Sequence, residues 1–299
     1  MARTKRPKPV HQMTEGQFEA TFPDEEACKA YLVARRWPQG VVCPRCGAMK
    51  VFPVGSMAFK WQCYACAPDR GYRFSVIAGT IFENTNKPLR DWFKVVHLML
   101  TSKKGISSLQ IQRQMGFGSY ETALNMTHKI RTALMEPAVK LGGIVEVDET
   151  FIGGKDGNRH WDKRRGHRND MIPVIGAVKR KGNVVARVIG RTNRETLEKF
   201  IRETVSTRVS LICTDAYAGY QRIGRKYPHG VVDHKAGQHV VGAIHTNTIE
   251  GFWSIFKRGI MGSFHKVSQK YLPLYVAEFQ FRYNNRMNAN IFGTAINGC

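Results

Sequence analysis

Ile144-Val145-Glu146-Val147-Asp148-Glu149-Thr150-Phe151-Ile152 alternates apolar and polar side chains from Val145 to Asp148, within a stretch bounded by apolar pairs. That is the period of a β-strand lying on a core. Successive strand residues point to opposite faces, so Glu146, Asp148 and Thr150 share one face and Glu149 points to the other. Glu146 and Glu149 are the local rivals to Asp148 for any acidic role, and spacing alone does not separate them. Downstream, Ile172 to Val178 and Val184 to Ile189 read as strands joined by the turn Lys181-Gly182-Asn183, so three strands form a meander. Arg194 to Val205 has a helical pattern. Val209-Ser-Leu-Ile-Cys-Thr214 is the continuous apolar run of a buried parallel strand, and it delivers Asp215 at its C-terminal end. Ala216 to Lys226 reads as a helix, Val231-Val232 as a short strand, and Tyr271 to Asn285 as a last helix carrying Tyr275, Phe279 and Phe281 or Tyr283. Crossovers between parallel strands are almost always right-handed, which sets the fourth strand beside the first and makes Asp215 a neighbour of Asp148. The expected fold class is α/β, a mixed sheet flanked by helices.

The segment His245-Thr-Asn-Thr-Ile-Glu-Gly-Phe-Trp-Ser-Ile-Phe-Lys-Arg-Gly-Ile260 places Ile249, Phe252, Trp253, Phe256 and Ile260 on one helical stripe. Asn247, Glu250, Ser254 and Lys257 gather on its flank. Asn247 with Glu250 also fits a capping box, which would satisfy the first free N–H groups of the helix and nothing more. The helix packs across the sheet that carries Asp148 and Asp215, so Glu250 joins them. Three converging carboxylates do not all stay ionised without a cation. Hard oxygen ligands imply Mg²⁺ or Mn²⁺. Two such ions would activate a water and stabilise the leaving oxygen of a phosphodiester. Asp156, Asp162, Asp170 and Asp233 sit in loops and read as solvated charges.

At 299 residues and 42% hydrophobic content, the chain has room for one sizeable core and one or two small modules. It holds no apolar run of about 18 residues or more, so no membrane span is expected. The net charge of +23 points to nucleic acid as the partner. That charge is spread along the chain, which disfavours a membrane-surface anchor. The basic start has no apolar core of a secretory signal, so a cytoplasmic address is expected. Of seven cysteines, Cys43-Pro-Arg-Cys46 and Cys63-Tyr-Ala-Cys66 form two knuckles that fit a structural four-thiolate Zn²⁺ site, with Val51-Phe52 and Phe59 to Gln62 as strands between them. A single redox CxxC is the alternative. Cys28, Cys213 and Cys299 stand apart as small hydrophobes or idle thiols. Before the ribbon, Thr14 to Trp37 reads as a short helix. After it, Leu89 to Leu100 is helical, Ser107 opens a short helix ending near Gly116, and Ser119 caps a third helix. That third helix is expected to hold Tyr120, Ala123, Leu124, Thr127 and Ile130 inside, with His128, Lys129 and Arg131 outside. Helix, glycine turn and basic helix make the pattern of a helix-turn-helix; a plain three-helix linker is the alternative. Lys155 to Asp170 reads as a basic, phosphate-seeking loop. The boundaries expected are a basic arm over 1–13, a zinc ribbon over 14–85, a helix-turn-helix-like segment over 86–140 and a catalytic domain over 141–299.

Val145-Glu-Val-Asp148-Glu-Thr-Phe-Ile-Gly-Gly-Lys155, Thr214-Asp215-Ala-Tyr-Ala-Gly-Tyr220 and His245 to Arg258 resemble the three signature blocks of bacterial insertion-sequence DDE transposases of the ISXO-like type. Arg282-Tyr-Asn-Asn-Arg286 and the N-terminal zinc ribbon also resemble that group, so the likeness covers nearly the whole chain. It implies an RNase H-like catalytic domain that cuts at transposon ends and joins the freed 3′-hydroxyl to target DNA. Asp148 and Asp215 carry over as ligands of Mg²⁺ or Mn²⁺. For the third ligand, Asn247 competes with Glu250. Glu250 is preferred because Glu250 and Lys257, two turns apart on one face, fit an acid followed by a DNA-contacting cation. His245, Lys257 and Arg258 are expected to position phosphates. Synapsis of two ends implies a homo-oligomer on DNA in the bacterial nucleoid. The rival readings are an RNase H-like nuclease, such as a junction resolvase, that cuts without joining, and a non-catalytic zinc-ribbon regulator.

Overall fold

The computed structural model describes residues 13–153, 171–233, 236–237 and 240–299. The basic arm, apart from Met13, and the basic segment Lys155 to Asp170 with its three aspartates lie outside the described residues. The chain divides into two compact units, Met1–Leu134 with Arg286–Cys299, and Met135–Asn285.

In the first unit the single helix expected before the ribbon is two, α1 (Glu15–Thr21) and α2 (Glu25–Arg36). Phe22-Pro23-Asp24 separates them, since the residue before a proline avoids helical geometry and the Asp24 side chain caps α2 by accepting from the Ala27 amide at 2.8 Å. The ribbon sheet is antiparallel, in the order β1 (Phe52–Pro53), β2 (Lys60–Cys63), β3 (Tyr72–Ser75). Three helices follow: α3 (Leu89–Thr101), α4 (Ser108–Met115) and α5 (Tyr120–Ala133). The Ser107 side chain caps α4, and Gly116 ends it in the left-handed conformation at φ 65°. Arg131 corrects the sequence reading of α5: it is fully buried, while Tyr120 is exposed. The reason is angular, because Arg131 lies one turn beyond the buried Thr127 and so on the same stripe.

In the second unit β4 (Ile144–Ile152), β5 (Ile172–Lys179) and β6 (Val184–Val188) form the antiparallel meander. After α6 (Arg194–Thr204), β7 (Leu211–Asp215) runs parallel to β4, and β8 (His229–Val232) runs parallel to β7. The order β6-β5-β4-β7-β8 is that of an RNase H-like mixed sheet. Ala216 to Lys226 is not the α-helix expected but two short 3₁₀ turns at Ala218–Tyr220 and Ile223–Arg225. Helices α7 (Asn247–Gly259) and α8 (Leu272–Asn284) complete the unit. One face of the sheet buries Val145, Val147, Ile175 and Ala177 against Leu197, Phe200 and Ile201 of α6. The other buries Val174, Val178 and Val184 against Ile249, Phe252, Trp253 and Phe256 of α7 and Val276 and Phe279 of α8.

The tail diverges from the expected run of the catalytic domain to residue 299. Its helix α9 (Ile291–Gly298) belongs to the first unit. There Phe292 packs edge-on to Phe93 of α3 at 5.6 Å and meets Phe22 at 5.4 Å. A Cβ at Gly298 would lie 2.3 Å from the Ala133 carbonyl oxygen, so only glycine admits that close approach. Among the described residues no helix is long and apolar enough to cross a membrane.

Candidate active site

The β4–β7 ladder pairs Ile144 with Leu211, Val145 with Ile212 and Glu146 with Cys213. The same register carried two residues on sets Asp148 level with Asp215 at the C-terminal end of β7. On its other side Asp148 pairs with Gly176 of β5. A Cβ at Gly176 would lie 2.7 Å from the Trp253 ring and 3.1 Å from Ile249. The missing side chain is therefore the notch through which α7 settles onto the strand next to Asp148. The buried stripe of α7 is the one expected, and Asn247, Glu250, Ser254 and Lys257 all lie on its exposed flank.

The first turn of α7 departs from the capping box. Asn247 is the first helical residue and Thr246 the cap, yet the Thr246 side chain makes no capping bond. Instead its hydroxyl donates to the Glu250 carboxylate at 2.6 Å. The free amides of Thr248 and Ile249 donate to Oε2 of Glu146, at 2.7 and 3.1 Å. Glu146 is engaged on every side: it is fully buried, and its Oε1 accepts from Arg180 Nε at 2.6 Å and from the Thr248 hydroxyl at 2.9 Å. His245 Nδ1 lies 3.2 Å from the same oxygen. Lys257 and Arg258 occupy the exposed last turn of α7, and Arg258 Nε donates back to the Ser254 carbonyl at 3.0 Å.

Electrostatics tie the acids together. Burial, then the negative charges of Asp215 and Glu250, push the Asp148 carboxyl up to about 7, against pulls from the Glu149 amide and Lys257. Glu149, on the opposite face, is also pushed up to about 7 by burial and by Asp215 and Asp148, against the hydroxyl of Tyr220 that donates to it. Asp215 accepts from the Tyr217 amide at 3.1 Å in a tight turn that follows β7. An acid that resists ionisation because it is buried and because two others face it is suited to a cation.

In the ribbon the Sγ atoms of Cys43, Cys46, Cys63 and Cys66 all lie within 4.8 Å of one another, with Cys43–Cys66 at 3.9 Å and Cys46–Cys63 at 3.6 Å. Zn–S bonds of about 2.3 Å in a tetrahedron require sulfur separations of about 3.8 Å, so the four thiols fit a structural zinc ion with no position left for water. Among the described residues they are the one group of three or more histidine, cysteine or carboxylate ligand atoms drawn this closely together.

Comparison with known proteins agrees with this anatomy. Residues 140–284 match the ISXO2-like transposase domain, and residues 23–68 match the transposase zinc-ribbon domain. A protein of Halobacterium salinarum described as an uncharacterized protein in transposable element ISH50 is 27% identical over 276 residues, which span 88% of this chain and 92% of that one. A chain of the simian T-cell lymphotropic virus intasome in complex with PP2A regulatory subunit B56 gamma overlaps 63% of this chain and 65% of its own length. It is 16% identical to this chain, with a TM-score of 0.29.

Sequence reasoning assigned no role to Arg180, Thr246, Gly176 or Tyr220. Arg180 and Tyr220 act through partners distant along the chain, Gly176 through its missing side chain, and Thr246 through Glu250 one turn on; Thr246 and Tyr220 lie inside the signature blocks, but nothing in the spacing marks them.

Proposed function

With an ISXO2-like transposase domain and a transposase zinc ribbon in one chain, this protein belongs to the insertion-sequence transposases, and we propose that it cuts DNA at the ends of its element and joins the freed 3′-hydroxyls to target DNA. The observation that supports this reading is the placement of Asp148 and Asp215 side by side on parallel strands, with Glu250 on the helix that crosses them. We assign these three as ligands of Mg²⁺ or Mn²⁺, which when bound would stabilise the attacking and leaving oxygens of an in-line displacement. The chain's own part is positional. The ladder holds both aspartates rigidly, and the Thr246 hydroxyl holds the Glu250 carboxylate. Lys257 and Arg258 sit about two turns further along the same helix, where they would hold phosphates of the strand being cut. His245 shares that role in the reading, although Nδ1 faces Glu146. Asn247, exposed at the first position of α7, stays the competitor for the third ligand position. The ribbon and the α4–α5 pair would recognise the ends, with Glu121, Asn125 and Lys129 on the exposed side of α5. Joining two ends calls for at least two chains on DNA, in the nucleoid.

The test is incubation with plasmid carrying the element's own ends in Mg²⁺ or Mn²⁺. Joined strand-transfer products are expected. Nicks without joined products would favour the resolvase-like nuclease. Binding to the ends with no cleavage in either metal would favour the regulator.

A further inference from the structure

We propose that Glu146, paired with Arg180, is a positioning residue for the catalytic site: it clamps the first turn of α7 to β4 and so fixes where Glu250 stands relative to Asp148. This rests on the metal-site reading above.

The first N–H groups of a helix need acceptors, and a nearby Ser, Thr, Asp or Asn ordinarily supplies one. Here the local candidate, Thr246, spends its hydroxyl on Glu250. The acceptor comes instead from across the sheet, more than a hundred residues earlier in sequence, as the Glu146 carboxylate. That carboxylate receives two amides, one hydroxyl and one guanidinium N–H. Arg180 closes the network by donating to the carbonyls of Ala243 at 2.6 Å and His245 at 3.0 Å, which ties the segment leading into α7 to the same ion pair. The clamp is short on both arms. Along β4, Asp148 lies two residues from Glu146 on the same face, roughly 6–7 Å away. Along α7, Glu250 follows Ile249, one of the clamped amides.

The first unit shows the same device without the same use. Pro88 provides no cap for α3, and Glu25 of α2 accepts from the Leu89 and Arg90 amides, each at 3.0 Å. Glu25 is partly exposed and pairs with Lys29 at 3.6 Å. A solvated acid suffices to cap a helix. Glu146 is wholly buried, and burying an ion pair is costly unless its geometry is well satisfied. The structure keeps that pair next to Asp148, where a displacement of α7 would move a metal ligand.

Residues that hold metal ligands in place change metal affinity or activity by roughly 10–100-fold when substituted. The test compares wild type with Glu146→Gln and the milder Thr248→Val, which removes one donor to Glu146 and leaves the ion pair. Mn²⁺ binding is read by loss of the free-ion EPR signal, and nicking of supercoiled plasmid is followed across Mn²⁺ concentration. Expected is a rise of about tenfold in the Mn²⁺ needed for half-saturation in Glu146→Gln, and a smaller rise in Thr248→Val. Nicking should recover toward wild type at high Mn²⁺. Unchanged half-saturation in both variants, whatever their melting temperatures, overturns the proposal; if Glu146→Gln does not fold, Thr248→Val decides alone. Asp148→Asn and Glu250→Gln run alongside. If these two bind Mn²⁺ as wild type does, the metal-site reading itself is wrong. If they lose Mn²⁺ while Glu146→Gln and Thr248→Val do not, only the clamp falls.

Discussion

The four cysteines of the ribbon and the three carboxylates of the sheet are both gatherings of groups that repel once ionised, yet the chain builds them in opposite ways. The cysteines come from two tight knuckles, and their sulfurs already stand at the separations a tetrahedral ion needs. The carboxylates come from two strands and a helix, are not drawn together as closely, and leave Asp148 with its carboxyl pushed up to about 7. A closed set of ligands serves a fold. An open set held by the surrounding fold leaves room for substrate, and that openness is what separates structural from catalytic metal chemistry.

The largest effect expected from breaking this contrast is at the ribbon. Cys63→Ser should leave the chain without its zinc, as measured by metal content, and open the ribbon to trypsin at Lys60, Arg70 and Arg73. Such ions supply roughly 10–16 kcal/mol of apparent folding energy to a module that buries little core.

The carboxylate site should behave in the reverse sense, as a place where the metal-free fold is strained. Asp148 loses its proton at about pH 3.8 in an unfolded chain and at about 7 in the folded one. Between those values the folded form binds more protons, so stability of the metal-free protein should fall as pH rises through that window. Denaturant titrations at pH 4.5 and 7.5 would show it. Asp148→Asn should flatten part of the slope, with Glu149, which titrates in the same range, supplying the remainder. Mg²⁺ should reduce the slope in wild type but not in the variant. A wild-type slope of the opposite sign would contradict the electrostatic account.

A smaller effect is expected at the notch. Gly176→Ala would set a Cβ 2.7 Å from the Trp253 ring, and overpacking of this kind costs about 1–3 kcal/mol. A lowered melting temperature with altered Trp253 fluorescence is the expected result; wild-type values for both would mean that α7 does not depend on the notch. The smallest concerns Lys257. Removing one phosphate contact by Lys257→Ala should lower the salt slope of DNA binding by about 1 and leave zinc content unchanged.

The sequence carried the parts of this fold that repeat locally. The two CxxC knuckles, the alternation of β4, the apolar run before Asp215 and the stripe of α7 each contain their own period, and each element stands where that period puts it. What it did not carry is what depends on distant partners. The segment after Asp215 has helical composition, but Tyr217 binds the Thr192 carbonyl through its hydroxyl and Gly219 presses against Leu197, so the chain forms 3₁₀ turns. Arg131 was placed by its charge when its angle on α5 set its burial. The tail past Asn285 has apolar residues that suit either unit, and only the aromatic pocket around Phe93 shows which one takes them. At the site, Asp148, Asp215 and Glu250 were legible as candidates, whereas the hydrogen bonds of Glu146 to α7 were not. Its acceptors face amides on a helix that follows after the whole of the sheet.

If Asp148, Asp215 and Glu250 form the metal site of a transposase, as proposed, each should be needed for joining DNA. The most direct measurement is strand transfer in Mg²⁺ and in Mn²⁺ by wild type, Asp215→Asn, Glu250→Gln and Asn247→Ala, each checked for folding by circular dichroism. Expected is a loss of about a thousandfold or more in the first two variants, equivalent to about 4 kcal/mol of transition-state stabilisation, with Asn247→Ala remaining active. An active Glu250→Gln beside a dead Asn247→Ala would contradict this and move the third ligand to Asn247.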